Sequence, residues 1–253
     1  MARLLEPGDP DPILLHRVSG TSPFFIACDH AGRVMPKRLG SLGLAAPEFD
    51  RHIAYDIGAW GVSTLLADAL DAVAIGQRYS RLVIDCNRAP GVPTSIVEIS
   101  ELTPIPGNVG LSEADRAARA EEIFWPYQNR IETMLQARAG APTVLIAMHS
   151  FTPVFKGDGR PWHAGVLFNR DRRFADYVFN LLRREPGLVV GENEPYAVSD
   201  LTDYTVPVHG ERRGLPHVEL EIRQDLIADE AGQRHWAALF ARLLPEAWRL
   251  FNA

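Results

Sequence analysis

The 253 residues carry 26 Lys and Arg against 32 Asp and Glu, a formal charge of −6, with 46% hydrophobic and 23% charged residues. That balance leaves no basic footprint for nucleic acid, no apolar stretch of the ~20 residues that span a bilayer, and no apolar signal core behind Met1. A soluble, cytoplasmic protein with neither a nucleic-acid nor a membrane partner is expected, and its two cysteines, Cys28 and Cys86, read as small buried hydrophobes rather than a disulfide framework.

In chain order, a short strand is expected over 13–15, followed by the apolar run Pro23-Phe24-Phe25-Ile26-Ala27-Cys28, which ends on Asp29-His30-Ala31-Gly32. A helix is predicted over 50–70, setting His52 and Asp56 four apart on one face. Short strands follow at 72–75 and 81–85. Pro and Gly crowd 89–110, which reads as a long functional loop. Ser112 is an N-cap with Asp115 three residues on. The helix it opens runs toward Arg138 and meets Pro126, which should kink or split it. Next come the apolar run Thr143 to Met148, ending on His149-Ser150, then a polar loop over 151–162 and a strand at 164–168. A helix over 172–184, strands at 188–191 and 216–223, and a helix over 230–251 close the chain. With no repeat, low-complexity tract or linker, residues 1–253 read as a single α/β domain: a mixed, mostly parallel central sheet with helices on both faces.

Two features point to chemistry at the sheet edge. Apolar strands buried on both faces end on His30 and His149, and ligands of open α/β sheets sit outside the carboxyl ends of the strands. Two imidazoles arriving there can share a metal ion or a substrate, although either alone is as readily an ordinary strand-end residue. In Val218-Glu219-Leu220-Glu221-Ile222 the alternation puts both glutamates on one strand face. Carboxylates on a central strand are costly to bury unless paired, protonated or near a metal; an edge strand with a solvated face is the alternative. Asn87 and Arg88 open the Pro/Gly loop, and an Arg fork with a neutral donor beside it suits a carboxylate. Asp56 could supply an oxygen ligand with His52 behind it, or the two could form a helix-surface ion pair.

These segments together resemble the N-formylglutamate amidohydrolase family, whose relatives share the zinc-exopeptidase (carboxypeptidase-like) fold. The resemblance runs from about Phe24 to Leu250 and rests on Cys28 to Gly32, Arg51 to Gly58, Ser80 to Arg88, Met148-His149-Ser150, Gly191 to Tyr196 and His209 to Asp225. It implies an enzyme, a zinc-dependent amidohydrolase that takes the formyl group from N-formyl-L-glutamate, as in histidine degradation. By resemblance, His30 and His149 are metal ligands. Carboxypeptidases take a Glu three residues after the first His, where this chain has Arg33, so Asp56 stands in as the third ligand. Glu221 matches the catalytic glutamate, with Glu219 in reserve; Asn87 and Arg88 match the pair that holds a substrate carboxylate; His209 and Arg213 lie in a loop expected to touch substrate.

The chemistry then follows from zinc, one ion per chain or another divalent metal in its place. A site with an open position lowers the pKa of a bound water to roughly 7. Glu221 acts as general base and then acid, and Arg88 helps to stabilise the oxyanion. A small acidic N-acyl amino acid is the expected partner, and Arg81, Arg170 and Arg213 are candidates for its side-chain carboxylate. The alternatives are a deacylase or carboxypeptidase-like hydrolase of another N-acyl amino acid or short peptide, a non-catalytic binding protein on the same fold, and a metal-free hydrolase using Ser150, which lacks the Gly-x-Ser-x-Gly elbow.

Overall fold

The computed structural model describes residues 3–253. Seven strands form one sheet: β1 (Ile13–His16), β2 (Phe24–Cys28), β3 (Val73–Gln77), β4 (Val144–Phe151), β5 (Ala164–Leu167), β6 (Val190–Glu192) and β7 (His217–Arg223). Their spatial order is β1-β3-β2-β4-β7-β5-β6. β3, β2, β4 and β7 run parallel, while β1 joins β3 and β5 joins β7 antiparallel, so the sheet is mixed as its sequence pattern suggests. The carboxyl ends of β2, β4 and β7 therefore share one edge.

Helices cover both faces. α1 (Ala59–Leu70), α4 (Arg173–Leu182) and α5 (Glu230–Phe251) pack on the face that presents Ile26, Ile146, Met148, Val218 and Leu220. α3 (Trp125–Ala137), reached through α2 (Glu113–Arg119), packs on the face that presents Phe25, Ala27 and Leu145. Period-2 alternation decides the rest: on β7, Val218, Leu220 and Ile222 join the first core, which turns Glu219 and Glu221 to the opposite face. The register of β7 on β4 pairs Glu221 with His149.

Several sequence expectations need correction. Residues 50–58 are not helical. The chain makes a short 3-10 turn at Ala46–Asp50 and then loops to Gly58, whose φ of 77° lies in the left-handed region, before α1 starts. His52 and Asp56 consequently do not share a helix face. Residues 81–85 are a buried turn rather than a strand: the Ser80 hydroxyl accepts from the Leu82 amide and donates to the Ala54 carbonyl, drawing the apolar run out of any ladder. A short apolar run cannot by itself be told apart from such a turn. As expected at Pro126, the helix is interrupted: a π-helical turn at Ala120–Phe124 separates α2 from α3, which begins with Pro126 in its first turn. β4 continues two residues past His149, and His30 lies two beyond the end of β2. The loop over 89–110 carries a two-residue hairpin, Ile99–Ser100 with Thr103–Pro104, and the loop over 151–162 another, Val154–Phe155 with Asp158–Gly159.

The long loop is anchored by an unusual group. Arg119 is 1% exposed and donates to the Val83 carbonyl, in the turn before the loop, and to Asn108 Oδ1, near the loop's end, at 2.9 and 2.7 Å, tying both to the helical layer. The cysteines are free and buried. No helix among the described residues is long and apolar enough to cross a membrane.

Gly58 offers a direct test of how the loop carrying Asp56 is seated. A Cβ there would collide with the Ile227 carbonyl, on top of the positive φ, whereas Gly91, also at positive φ, faces open space. Gly58→Ala is expected to lower unfolding stability in urea by at least ~2 kcal/mol, and Gly91→Ala by no more than about 1 kcal/mol.

Candidate active site

Outside the carboxyl ends of β2, β4 and β7 lies a cavity of about 470 Å³. Its wall includes His30, Asp56, Arg81, Asp85, Asn87, Arg88, His149, Glu219 and Glu221. At its floor, His30 and His149 converge on one carboxylate. His30 Nδ1 lies 3.2 Å and His149 Nδ1 2.9 Å from Asp56 Oδ2, and all three residues are buried. They form a group whose donor atoms lie within 4.8 Å of one another and could hold a metal ion.

Asp56 reaches this position from the loop before α1 because its amide donates to the His30 carbonyl and the Ser150 hydroxyl donates to the Ile57 carbonyl. The outer nitrogens of the imidazoles also face carboxylates. His30 Nε2 stands 2.7 Å from Asp85 Oδ1, and His149 Nε2 3.4 Å from Asp29 Oδ2. Asp85 in turn accepts from Arg81 at 2.6 Å, and Asp29 accepts from Tyr127 and Thr205.

Burial acts against charge throughout, and neighbouring charges decide the outcome. Burial and Arg81 would lower the His30 imidazole, yet Asp85 and Asp56 raise it. Burial would lower His149, but Glu219, Asp29 and Asp56 carry it well above its ordinary value. Asp56 is held below the usual carboxylate range by the two histidines, and Asp85 well below by Arg81 and His30, both against the burial that would raise them. The β7 glutamates behave oppositely. Burial drives Glu219 well above the carboxylate range and pushes Glu221 up to about 7. Glu219 Oε2 and Glu221 Oε2 are buried with no hydrogen-bond partner among the described residues.

The remaining expected residues divide. Arg88 lines the cavity and donates to Asp203 at 3.2 Å through one nitrogen. Asn87 lines it too, but its amide oxygen accepts from the Tyr204 and Thr205 amides and its nitrogen donates to Asp203, so it holds the 203–205 segment. His209 and Arg213, expected to touch substrate, are not in the wall. His209 is buried against Gln128, its Nε2 2.7 Å from Oε1, and Arg213 pairs with Glu132. Arg170, expected as a carboxylate partner, is likewise outside, paired with Asp200 and Glu211. His52 faces Glu101 at 3.4 Å at the rim rather than backing Asp56.

Sequence reasoning left Asp29, Asp85 and Asp203 without a role. The first two lie inside the segments Cys28 to Gly32 and Ser80 to Arg88, one residue before His30 and two before Asn87. Asp203 is 115 residues from the Arg88 it meets and carries no such signal.

A family model described as N-formylglutamate amidohydrolase matches residues 22–228. Among solved structures, a gene product from Agrobacterium tumefaciens is 34% identical, with a TM-score of 0.95 over 99% of this chain and 100% of that one. An N-formylglutamate amidohydrolase from Ralstonia eutropha JMP134 is 18% identical, with a TM-score of 0.68 over 95% of this chain and 99% of its own, and shares the fold. No curated protein matches.

The placement of His209 generates a pH prediction. Burial pushes its imidazole from 6.5 down to about 4, so between those values the unfolded chain binds a proton that the folded protein does not. This contribution to stability is complete above pH 6.5 and lost as the pH falls through 4, on the order of 3 kcal/mol in all. In urea titrations at pH 7, 5.5 and 4, His209→Gln is expected to flatten this part of the acid loss.

Proposed function

The chain belongs to the N-formylglutamate amidohydrolase family, and we propose that it is a zinc-dependent hydrolase that releases the formyl group of an N-formyl amino acid, with N-formyl-L-glutamate the reference substrate. The observation that carries the metal reading is the convergence of Nδ1 of both histidines on the shared Asp56 oxygen, with His30 Nε2 hydrogen-bonded to Asp85 behind it. His149 Nε2 lies 3.4 Å from Asp29 Oδ2 without a hydrogen bond between them. Metal-bound histidines characteristically donate their other ring N–H to a carboxylate, which fixes the tautomer and raises ligand basicity. Two imidazoles and one carboxylate also suit a catalytic zinc, which keeps one position open.

His30, Asp56 and His149 are the proposed ligands. Zinc bound there supplies a Lewis acid for the carbonyl oxygen and lowers the pKa of a water to roughly 7. The chain's own groups do the rest. Glu221 is held opposite His149 by the strand register and is buried without a partner, so its carboxylate is free to take the proton of the attacking water. A value near 7 is suited to both halves of the task, accepting that proton and returning it to the leaving nitrogen. Glu219, whose carboxyl burial drives well above the carboxylate range, projects into the cavity from the same strand face. Arg88 keeps nitrogens free beyond its contact with Asp203 and is the proposed partner of the substrate α-carboxylate and of developing charge on the amide; Asn87 fixes the segment that supports it.

Elemental analysis and formate release from N-formyl-L-glutamate test the reading together. Wild type is expected to hold one zinc per chain and to release formate; His149→Ala should lose both. A wild type that holds no metal under chelator-free conditions would overturn it. Asp85→Asn, which removes the charge that His30 and Arg81 share, is expected to weaken metal affinity by about 10- to 100-fold while the fold persists. Glu221→Gln should keep the metal and lose at least ~100-fold in kcat. Because the base must be ionised, wild-type kcat/KM should rise with pH along an acid limb whose midpoint lies at or below about 7, since a bound cation lowers the Glu221 value further.

A further inference from the structure

A glutamate side chain brings a second carboxylate into the cavity, and the arginines around it differ in what they have left to offer. Arg81 is committed to Asp85 at 2.6 Å and Asp56 at 3.4 Å. Arg88 donates to Asp203 and is the proposed partner of the α-carboxylate. Arg160, half-buried, has no carboxylate partner among the described residues. Its Nη1 donates to the Tyr196 hydroxyl at 2.8 Å and to the Thr152 carbonyl at 3.5 Å, while Nε and Nη2 bond no described residue and stay open to solvent.

Everything that holds this guanidinium belongs to the cavity: Phe151, Thr152, Phe155 and Tyr196 all line it. The cation sits 4.7 Å from the ring centres of both Phe155 and Tyr196 and 5.9 Å from that of Phe151. Rings on several sides thin the water around the charge and fix the plane of its fork, which favours a bidentate carboxylate contact. Glu101, which touches the hairpin before Arg160 through the Lys156 amide at 3.2 Å, is paired with Arg51 at 2.8 Å instead. Thr152 follows His149 by three residues, on the order of 10 Å at the rise of a strand, so Arg160 stands at the far end of the cavity from the candidate metal group. Asp56, Asp85, Glu219 and Glu221 crowd the inner end and disfavour a second carboxylate there, directing it outward.

We propose that Arg160 is a specificity-determining residue that receives the side-chain carboxylate of an acidic N-formyl amino acid. This rests on the reading that the site hydrolyses N-formyl amino acids with Arg88 on the α-carboxylate. The Tyr196 hydroxyl and the Phe155 ring position the guanidinium, and its unbonded Nε and Nη2 edge meets the two carboxylate oxygens.

The test compares formate release from N-formyl-L-glutamate and from the neutral, near-isosteric N-formyl-L-glutamine at one ionic strength. Zinc-loaded wild type is expected to favour glutamate by at least roughly tenfold in kcat/KM; an equal or lower glutamate value would overturn the proposal. Arg160→Met should bring the ratio to within about threefold of one, chiefly by raising KM for glutamate. A parallel loss on both substrates that keeps the ratio would show that Arg160 only braces the wall, and would overturn it too. Arg160→Lys keeps the charge but loses the fork, so its ratio should fall between the two; it decides alone if Arg160→Met does not fold, a wild-type ratio then overturning the proposal. Should wild type release formate from neither compound, the hydrolytic reading fails on its own. Calorimetric binding of the same two compounds then decides: roughly tenfold tighter binding of glutamate, lost in Arg160→Met, supports the proposal, and equal or no binding overturns it.

Discussion

One carboxylate oxygen, Asp56 Oδ2, receives both histidines, and much of the molecule is arranged around that contact. An unpaired charge at this depth would be prohibitive, so the oxygen is surrounded: two imidazoles, the Ser150 amide at 3.3 Å, and Arg81 on the other oxygen. The same contacts bind the loop before α1 to β2 and β4, joining segments 26 and 93 residues apart in sequence. The network is therefore a structural clasp as well as the candidate metal site. Its members polarise one another, and removing one leaves the others buried and uncompensated.

The sheet supplies the second constraint. A strand buried on both faces presents alternate residues to opposite sides, and β7 uses this to separate packing from chemistry. Val218, Leu220 and Ile222 fill the core under α4 and α5, while Glu219 and Glu221 face the cavity. Pairing with β4 in parallel register brings Glu221 level with His149, so the proposed base and the proposed ligand are aligned by the backbone ladder. Rigid elements of this kind hold reacting groups more accurately than loops.

How much of this could be read from the residues depends on range. The strands ending near His30 and His149, the alternation over 217–223 and the long final helix are local patterns, and the mixed, mostly parallel sheet with helices on both faces follows from them. His30, Asp56 and His149 are legible as candidates and stand together, although the helix expected around Asp56 does not form; Gly58 and the Ser80 hydroxyl impose turns that apolar periodicity does not report. His209 and Arg213 failed as cavity residues because a loop leading into a central strand can face either side, and here it packs against α3 through Gln128 and Glu132. The carboxylates behind the imidazoles, and Asp203 behind Arg88, depend on contacts between distant segments, which a single sequence does not display.

The position of β7 also bears on how the chain is made. It is the last strand of the sheet in chain order, yet it sits between β4 and β5. Until residue 223 has been synthesised, those two strands have no common neighbour, and each presents an unpaired edge rich in apolar residues. Because the strand that carries the glutamates also fills the gap between β4 and β5, completing the sheet and completing the cavity require the same segment, the last strand to be synthesised.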